Sequence, residues 1–309
     1  MRKIFGIGET VLDIVFRNGQ PEAAVPGGST FNSMVSLGRS GVEATLLSEV
    51  GSDRVGDMIK AFMAENGVHT DQVNTLPGKS PISLAFLNER NEASYSFYRD
   101  KFETHPDFAH PDVQAGDLVL FGSFYALNPV TRPQVSAFLE YARSQGAIFY
   151  YDVNFRPSHV KDLGDIGANL WENLEYADIV RGSREDFHTL FGLDDVDAVY
   201  RDKLSAHTSH FIYTRGADPV TVRCGRDFRK DYPVPPVETV STIGAGDSFN
   251  AGFLYGLLQL GVTRETLAQG FSEPLWDALI DTAGRFSADC CRNAYNYISP
   301  EFASGLRRN

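Results

Sequence analysis

Two glycines one residue apart, Gly244 and Gly246, head a segment that is otherwise built to be buried. Residues 240–246 fit neither helix nor strand. After them Phe249, Phe253, Leu254, Leu257 and Leu258 recur at helical spacing and form one apolar face. A glycine-rich turn therefore feeds the first turn of a buried helix. Such a turn leaves backbone N–H groups without carbonyl partners at the positive end of the helix dipole. The glycines also remove the side chains that would keep a ligand away, so the backbone itself makes an anion site. Asp247 stands at its rim. A carboxylate repels a phosphate, and it makes chemical sense there if an incoming hydroxyl must lose a proton beside a phosphoryl group. The plain alternative is a first-turn acid favoured by the dipole. This segment alone does not choose between them.

The rest of the chain alternates strand and helix. Buried strand patterns fall at residues 3–8, 44–51, 118–122, 147–153, 179–180 and 210–214. Helical patterns begin near Phe31 and Pro133, and two more cross residues 263–292. Another runs over 55–65 with Val55, Met58, Ile59, Phe62 and Met63 inward. This order predicts an α/β fold, a doubly wound and mostly parallel sheet flanked by helices. One stretch differs in texture. Over residues 80–99 apolar and aromatic residues alternate around the turn-like Asn88-Glu89-Arg90-Asn91, which reads as an inserted hairpin. The 309 residues thus form a single α/β domain over 1–309, with a small β lid inserted from about 13–25 and 76–104. A lid suits group transfer because it keeps water from competing with the intended acceptor.

Net charge −12 and a pI near 5.0 argue against nucleic acid and anionic membranes as general partners. Three cysteines, two of them adjacent, supply neither a disulfide framework nor a zinc spacing and fit a reducing cytoplasm. Glu9 and Asp13 break the N-terminal apolar run before it reaches signal or membrane length. Gly6 and Gly8 lack the third glycine of a dinucleotide turn, since Val11 occupies its place.

Several polar residues sit where an apolar pattern does not want them. Asp13 is a lone charge in the run 10–16. It is either a strand-end acid facing water or a carboxylate at a strand's carboxyl end, able to accept two hydroxyl groups of a polyol. Gly27-Gly28 permits close approach by a ligand, and Asn32 in the following first helical turn either caps or binds a hydroxyl. Asp152, Asn154 and Arg156 end a buried strand, where they are costly without partners. They form an Asp–Arg structural pair or a polar rim over a substrate. Ser183-x-x-Asp186 is a capping-box pattern that suffices as a structural explanation. Thr214 and Gly216 either contact phosphates or simply turn the chain.

Over nearly its whole length, and in the right order, the chain resembles the ribokinase-like carbohydrate kinases, also called the PfkB family. Gly27-Gly28-Ser29-Thr30-Phe31-Asn32, with Gly38 and Gly41 behind it, is similar to that family's first signature. Ser241-Thr242-Ile243-Gly244-Ala245-Gly246-Asp247 is similar to its second, D-T-x-G-A-G-D. The resemblance implies an ATP- and magnesium-dependent sugar kinase with Asp247 as general base and the N–H groups of Gly244, Ala245 and Gly246 as anion hole. It implies that Asp13, Gly27, Gly28 and Asn32, with Arg99, Asn154 and Arg156, hold the sugar. Ser183, Thr214, Gly216 and Thr242, with Gly244 and Gly246, would meet the nucleotide. Asp186 would order magnesium-bound water, with Glu185 as its competitor.

Gly8-Glu9 with Asp13, Phe97-Tyr98-Arg99 and the Asp152–Arg156 segment look most like fructokinases, which makes fructose the first expected acceptor. Ribose, 2-keto-3-deoxygluconate and nucleoside kinases share parts of the pattern, and a non-catalytic sugar- or nucleotide-binding relative is the remaining alternative. Ser241 replaces the aspartate that helps relatives build a monovalent-cation site, so potassium activation is not implied. Lid hairpins in relatives often pair two subunits, and the aromatic strand at 95–98 is the candidate for a homodimer here.

Overall fold

The computed structural model describes residues 2–87, 93–102 and 104–307. It begins with β1 (Ile4–Ile7), β2 (Val11–Arg17), β3 (Gln20–Gly27) and α1 (Ser29–Arg39). Next come β4 (Ala44–Gly51), α2 (Arg54–Glu65), β5 (Val68–His69), β6 (Val73–Leu76), β7 (Ile82–Leu87) and β8 (Ala93–Tyr98). Alternation resumes with β9 (Leu118–Gly122), α3 (Arg132–Ser144), β10 (Ile148–Asp152), α4 (Leu163–Tyr176), β11 (Ile179–Ser183), α5 (Arg184–Phe191) and α6 (Val196–Val199). The last part is β12 (His210–Arg215), β13 (Asp218–Cys224), β14 (Phe228–Tyr232), α7 (Ala245–Gln259), α8 (Arg264–Gln269), α9 (Glu273–Cys291) and α10 (Pro300–Leu306).

The large sheet has the order β14-β13-β12-β11-β10-β9-β1-β4-β5, with β6 beside β4. Pairing is parallel from β12 across to β5 and β6, and antiparallel where β13 and β14 extend the edge. β1, β4, β9 and β10 are buried along their whole length. That is why they read as near-continuous apolar runs, since helices cover both faces of a parallel sheet. One core packs α1, α7, α9 and α10 on one face, and the other packs α3, α4 and α5 on the opposite face. Close contact of α7 with α9 needs Gly252, where a Cβ would lie 2.8 Å from the Ala283 Cα. In α2, Ile59 and Met63 are buried but Met58 is half exposed, against expectation. Neighbours in a helix point about 100° apart, so Met58 and Ile59 cannot both face the core.

A second sheet has the order β3-β2-β7-β8. β2 pairs antiparallel with β3 and parallel with β7, and β7 pairs antiparallel with β8. The expected turn Asn88–Asn91 lies outside the described residues. This sheet leaves the large one at the carboxyl end of β1. The ends of β10, β11 and β12 and the starts of α1 and α7 meet at the same edge, and the site forms there.

Candidate active site

At the start of α7 the backbone is bent as the sequence requires. Gly244 has φ 77°, and a Cβ there would lie 2.2 Å from the Asn296 carbonyl oxygen. The Ser248 N–H is the first to reach a carbonyl four residues back, Gly244 O at 2.8 Å. The Ala245 N–H turns back onto Thr242 O at 3.3 Å. Among the described residues the N–H groups of Gly244, Gly246 and Asp247 meet no acceptor. Of the three N–H groups expected to form an anion hole, those of Gly244 and Gly246 are unengaged while that of Ala245 is used within the turn, and the Asp247 N–H is unengaged beside them.

The Asp247 carboxylate is held at both oxygens by α1. Ser29 Oγ donates to Oδ1 and Asn32 Nδ2 to Oδ2, each at 2.8 Å. Ser33 Oγ donates to the Asp247 carbonyl at 2.8 Å. Burial pushes the carboxyl group up to about 6, against the pull of those two hydrogen bonds, and the nearby Asp152 charge adds to the rise. A base in this range is charged at neutral pH yet still takes a proton readily. Asn32 keeps a buried Oδ1 with no partner among the described residues.

Asp13 faces the same space from β2. It lies inside a strand of the second sheet rather than at the carboxyl end of a strand of the large one. Ser83 of β7 donates to it. Burial raises it to about 6, and the charges of Glu9 and Asp247 act in the same direction. A Cβ on Gly27 would sit 2.6 Å from Asp13 Oδ2. One on Gly28, whose φ is 126°, would sit 2.3 Å from the Glu9 carbonyl oxygen. Asp13, Gly27, Gly28, Asn32 and Asp247 thus come together. Arg99 is exposed, and its charge reaches Glu9 and His159. Arg156 is exposed too, and its charge reaches Asp247. Asn154 takes φ 35°, which bends the chain beyond β10.

On the other side of α7, Asp152 does find an arginine, but it is Arg181 of β11 at 2.9 Å and not Arg156. Asp152 Oδ2 accepts Asn250 Nδ2 at 2.8 Å, and Asn250 Oδ1 accepts the Tyr150 hydroxyl at 2.9 Å. Arg181 Nη2 donates to Thr214 Oγ1 at 2.8 Å. Gly216 takes φ 62° and has open space around it, and Thr242 is exposed. The Ser241 hydroxyl accepts the Ile243 N–H at 3.2 Å. Ser183 and Asp186 form the capping box of α5. Asp186 Oδ2 accepts the Ser183 N–H at 2.6 Å and Oδ1 accepts the Phe155 N–H at 2.8 Å, so this acid also pins the loop after β10. Burial, and then the Asp152 charge, raise its pKa. Glu185 is exposed. Arg181 was not among the residues the sequence singled out. For Arg181 the signal was present, a charged residue inside the buried strand Ile-Val-Arg-Gly-Ser.

Comparison with known proteins bears on this geometry. Residues 1–271 match the pfkB family carbohydrate kinase domain. The 5-dehydro-2-deoxygluconokinase of Geobacillus thermodenitrificans strain NG80-2 is 29% identical over 248 residues, 75% of this chain and 72% of that protein. Fructokinase-1 of Oryza sativa subsp. japonica is 27% identical over 256 residues, 81% and 79% of the two chains. A fructokinase double mutant from Vibrio cholerae O395, solved with fructose, ADP and potassium, has TM-score 0.84 at 18% identity. It covers 99% of this chain and 98% of its own. An aminoimidazole riboside kinase from Salmonella enterica, solved with its riboside and an ATP analogue, has TM-score 0.76 at 20% identity over 99% and 100%. These structures share the fold. Among the described residues no helix is long and apolar enough to cross a membrane.

Proposed function

This chain belongs to the pfkB family of carbohydrate kinases, phosphotransferases that use ATP on small sugars, and on that premise we propose fructose as its acceptor, phosphorylated on a primary hydroxyl. The observation that carries the mechanism is Asp247. Its two oxygens are held by Ser29 and Asn32, and burial keeps it near 6, beside free N–H groups at a helix start. The acceptor oxygen attacks the γ-phosphorus, and its proton passes to Asp247. The bond from the γ-phosphorus to the bridging oxygen breaks, and ADP leaves with that electron pair. The N–H groups of Gly244, Gly246 and Asp247 receive the charge that builds on the phosphoryl oxygens. A donor so placed contributes about 2.7–4 kcal/mol to the transition state. Asp13 and Asn32 Oδ1 accept sugar hydroxyl hydrogens, and Gly27-Gly28 lets the sugar lie against the backbone.

The residues present fit a nucleotide phosphate. The Arg181 Nε is buried with no acceptor among the described residues, and the space beside Gly216 is open. Ser183, Thr214 and Thr242 border the same side. No group of three acidic, histidine or cysteine side chains able to hold a metal occurs among the described residues. Magnesium would be carried on phosphate oxygens and met by protein through water, with Asp186 or Glu185 as the residue that would order that water. Bound there, magnesium neutralises phosphate charge. The second sheet serves as the lid, and its exposed Phe97 and Tyr98 are where two subunits would pair. The three free thiols and the use of ATP support a cytoplasmic setting for the reaction.

A second reading, an acceptor that carries a carboxylate, is favoured by the two cations at the mouth, Arg99 and Arg156. The test is a coupled ADP-release assay with fructose, ribose, 2-keto-3-deoxygluconate, 5-dehydro-2-deoxygluconate and a nucleoside. Fructose should give the highest kcat/KM. A keto-acid ahead of it would replace the first reading by the second. Sugar binding in a calorimeter with no ADP release from any acceptor would make the protein a non-catalytic relative.

A further inference from the structure

We infer that Arg181 is a catalytic residue, a cation that completes the anion hole at the start of α7 and touches the transferring phosphoryl group. This inference rests on the kinase reading above. Arg181 sits in the middle of β11, 8% exposed, in a strand otherwise suited to a buried sheet. A charge in that position is costly to bury and needs partners. Asp152 holds it from one side at 2.9 Å and Thr214 from the other at 2.8 Å. A guanidinium has five N–H donors, and these two contacts use only part of that set. Nε is buried and meets no acceptor among the described residues.

The free donors have a direction. The guanidinium packs against Gly246, where a Cβ would lie 3.0 Å from Nη2 and 3.3 Å from Nη1. Gly246 is therefore small for two reasons, ligand approach and the presence of this arginine. Its own N–H is one of those left without an acceptor. A fork of fixed N–H groups beside free backbone N–H groups matches the oxygens of a phosphoryl group, and it binds them more geometrically than an ammonium does. Asp152 is a positioning residue. Its other oxygen accepts Asn250 of α7, so one carboxylate sets both the arginine and the helix whose first turn makes the hole. A purely structural ion pair would not need to lie against the ligand-binding turn.

The test uses two variants of the full chain. Arg181→Lys keeps the charge and loses the fork. Arg181→Gln combined with Asp152→Asn removes both charges of the pair together, so Asp152 is not left as a buried carboxylate without its direct partner. For each we would measure the melting temperature, kcat and KM with the best acceptor, and affinity for magnesium-ADP alone and with aluminium fluoride, which mimics the transferring group. The expected result is wild-type melting, unchanged affinity for ADP and sugar, and a kcat lower by about 10²- to 10³-fold. The tightening of ADP by aluminium fluoride should be lost. Retained kcat with retained tightening overturns the inference. So does a joint collapse of melting temperature, ADP binding and sugar binding in both variants, which is the signature of a structural role. If the wild type releases no ADP with any acceptor, the kinase reading fails, and the aluminium fluoride measurement still decides for or against Arg181.

Discussion

Replacing Asp247 by Asn should abolish most turnover and make the fold more stable, and the size of that stabilisation follows from the site. The carboxyl group moves from an ordinary 3.8 to about 6, first because of burial. Each pKa unit corresponds to about 1.4 kcal/mol, so keeping this group charged costs the fold up to about 3 kcal/mol. The figure is an upper one, because the site rim admits some water. The folded value lies above the unfolded one, so the folded state binds the proton more tightly. The cost is therefore complete above about pH 6, roughly half gone at about pH 5, and absent below 3.8. An Asn side chain fits the same contacts. Its oxygen accepts Asn32 Nδ2, and the Ser29 hydroxyl turns to accept its amide. At about 2.1 cal/mol/K of unfolding entropy per residue, 309 residues translate 3 kcal/mol into a rise in Tm of up to about 5 °C. The assay is calorimetric melting of both proteins at about pH 8 and about pH 5, with ADP release measured in parallel. Turnover should fall by about 10²- to 10⁴-fold. A gap in Tm that is absent at pH 8, or that widens toward pH 5, would refute the desolvated carboxylate. Near-normal turnover would refute the base.

Three further outcomes are expected. The acid limb of kcat/KM against pH should have an apparent pKa near 6. It belongs jointly to Asp247 and Asp13, since both are raised to about 6 and the Asp247 charge adds to the rise of Asp13; a limb near an ordinary carboxylate value in initial-rate measurements would contradict this. Gly28→Ala places a Cβ 2.3 Å from the Glu9 carbonyl oxygen at φ 126°. It should cost at least about 1–3 kcal/mol and weaken acceptor binding; wild-type melting and KM would show that the turn has room. Asp186→Ala removes the α5 capping box and leaves the Phe155 N–H without its acceptor. A loss of about 1–3 kcal/mol is expected in chemical denaturation. A higher magnesium requirement in the same variant would add the role in ordering metal-bound water, and an unchanged requirement would remove it.

Local pattern alone made much of this protein legible. The strand–helix alternation, the glycine-led start of α7 and the Ser183–Asp186 capping box each depend on residues a few positions apart, so their physics is written in spacing. The backbone donors of the candidate site were legible for the same reason, because a helix start with two glycines leaves N–H groups free whatever surrounds it. Partners far apart in the chain were not legible. Asp152 could be seen to need a cation, and Arg156 lay four residues away. Yet β10 pairs in parallel with β11, setting Asp152 opposite Arg181, so strand order chose the partner. Ser83 reaches Asp13 only because β2 pairs with β7. Ser29 and Asn32 reach Asp247 across more than two hundred residues, because α1 and α7 bring their first turns together. The sequence by itself determined which backbone could hold an anion and put a carboxylate, Asp247, at its rim. The tertiary structure decided how that carboxylate is buried, oriented and raised to about 6, since desolvation and hydrogen bonding depend on neighbours that only packing supplies.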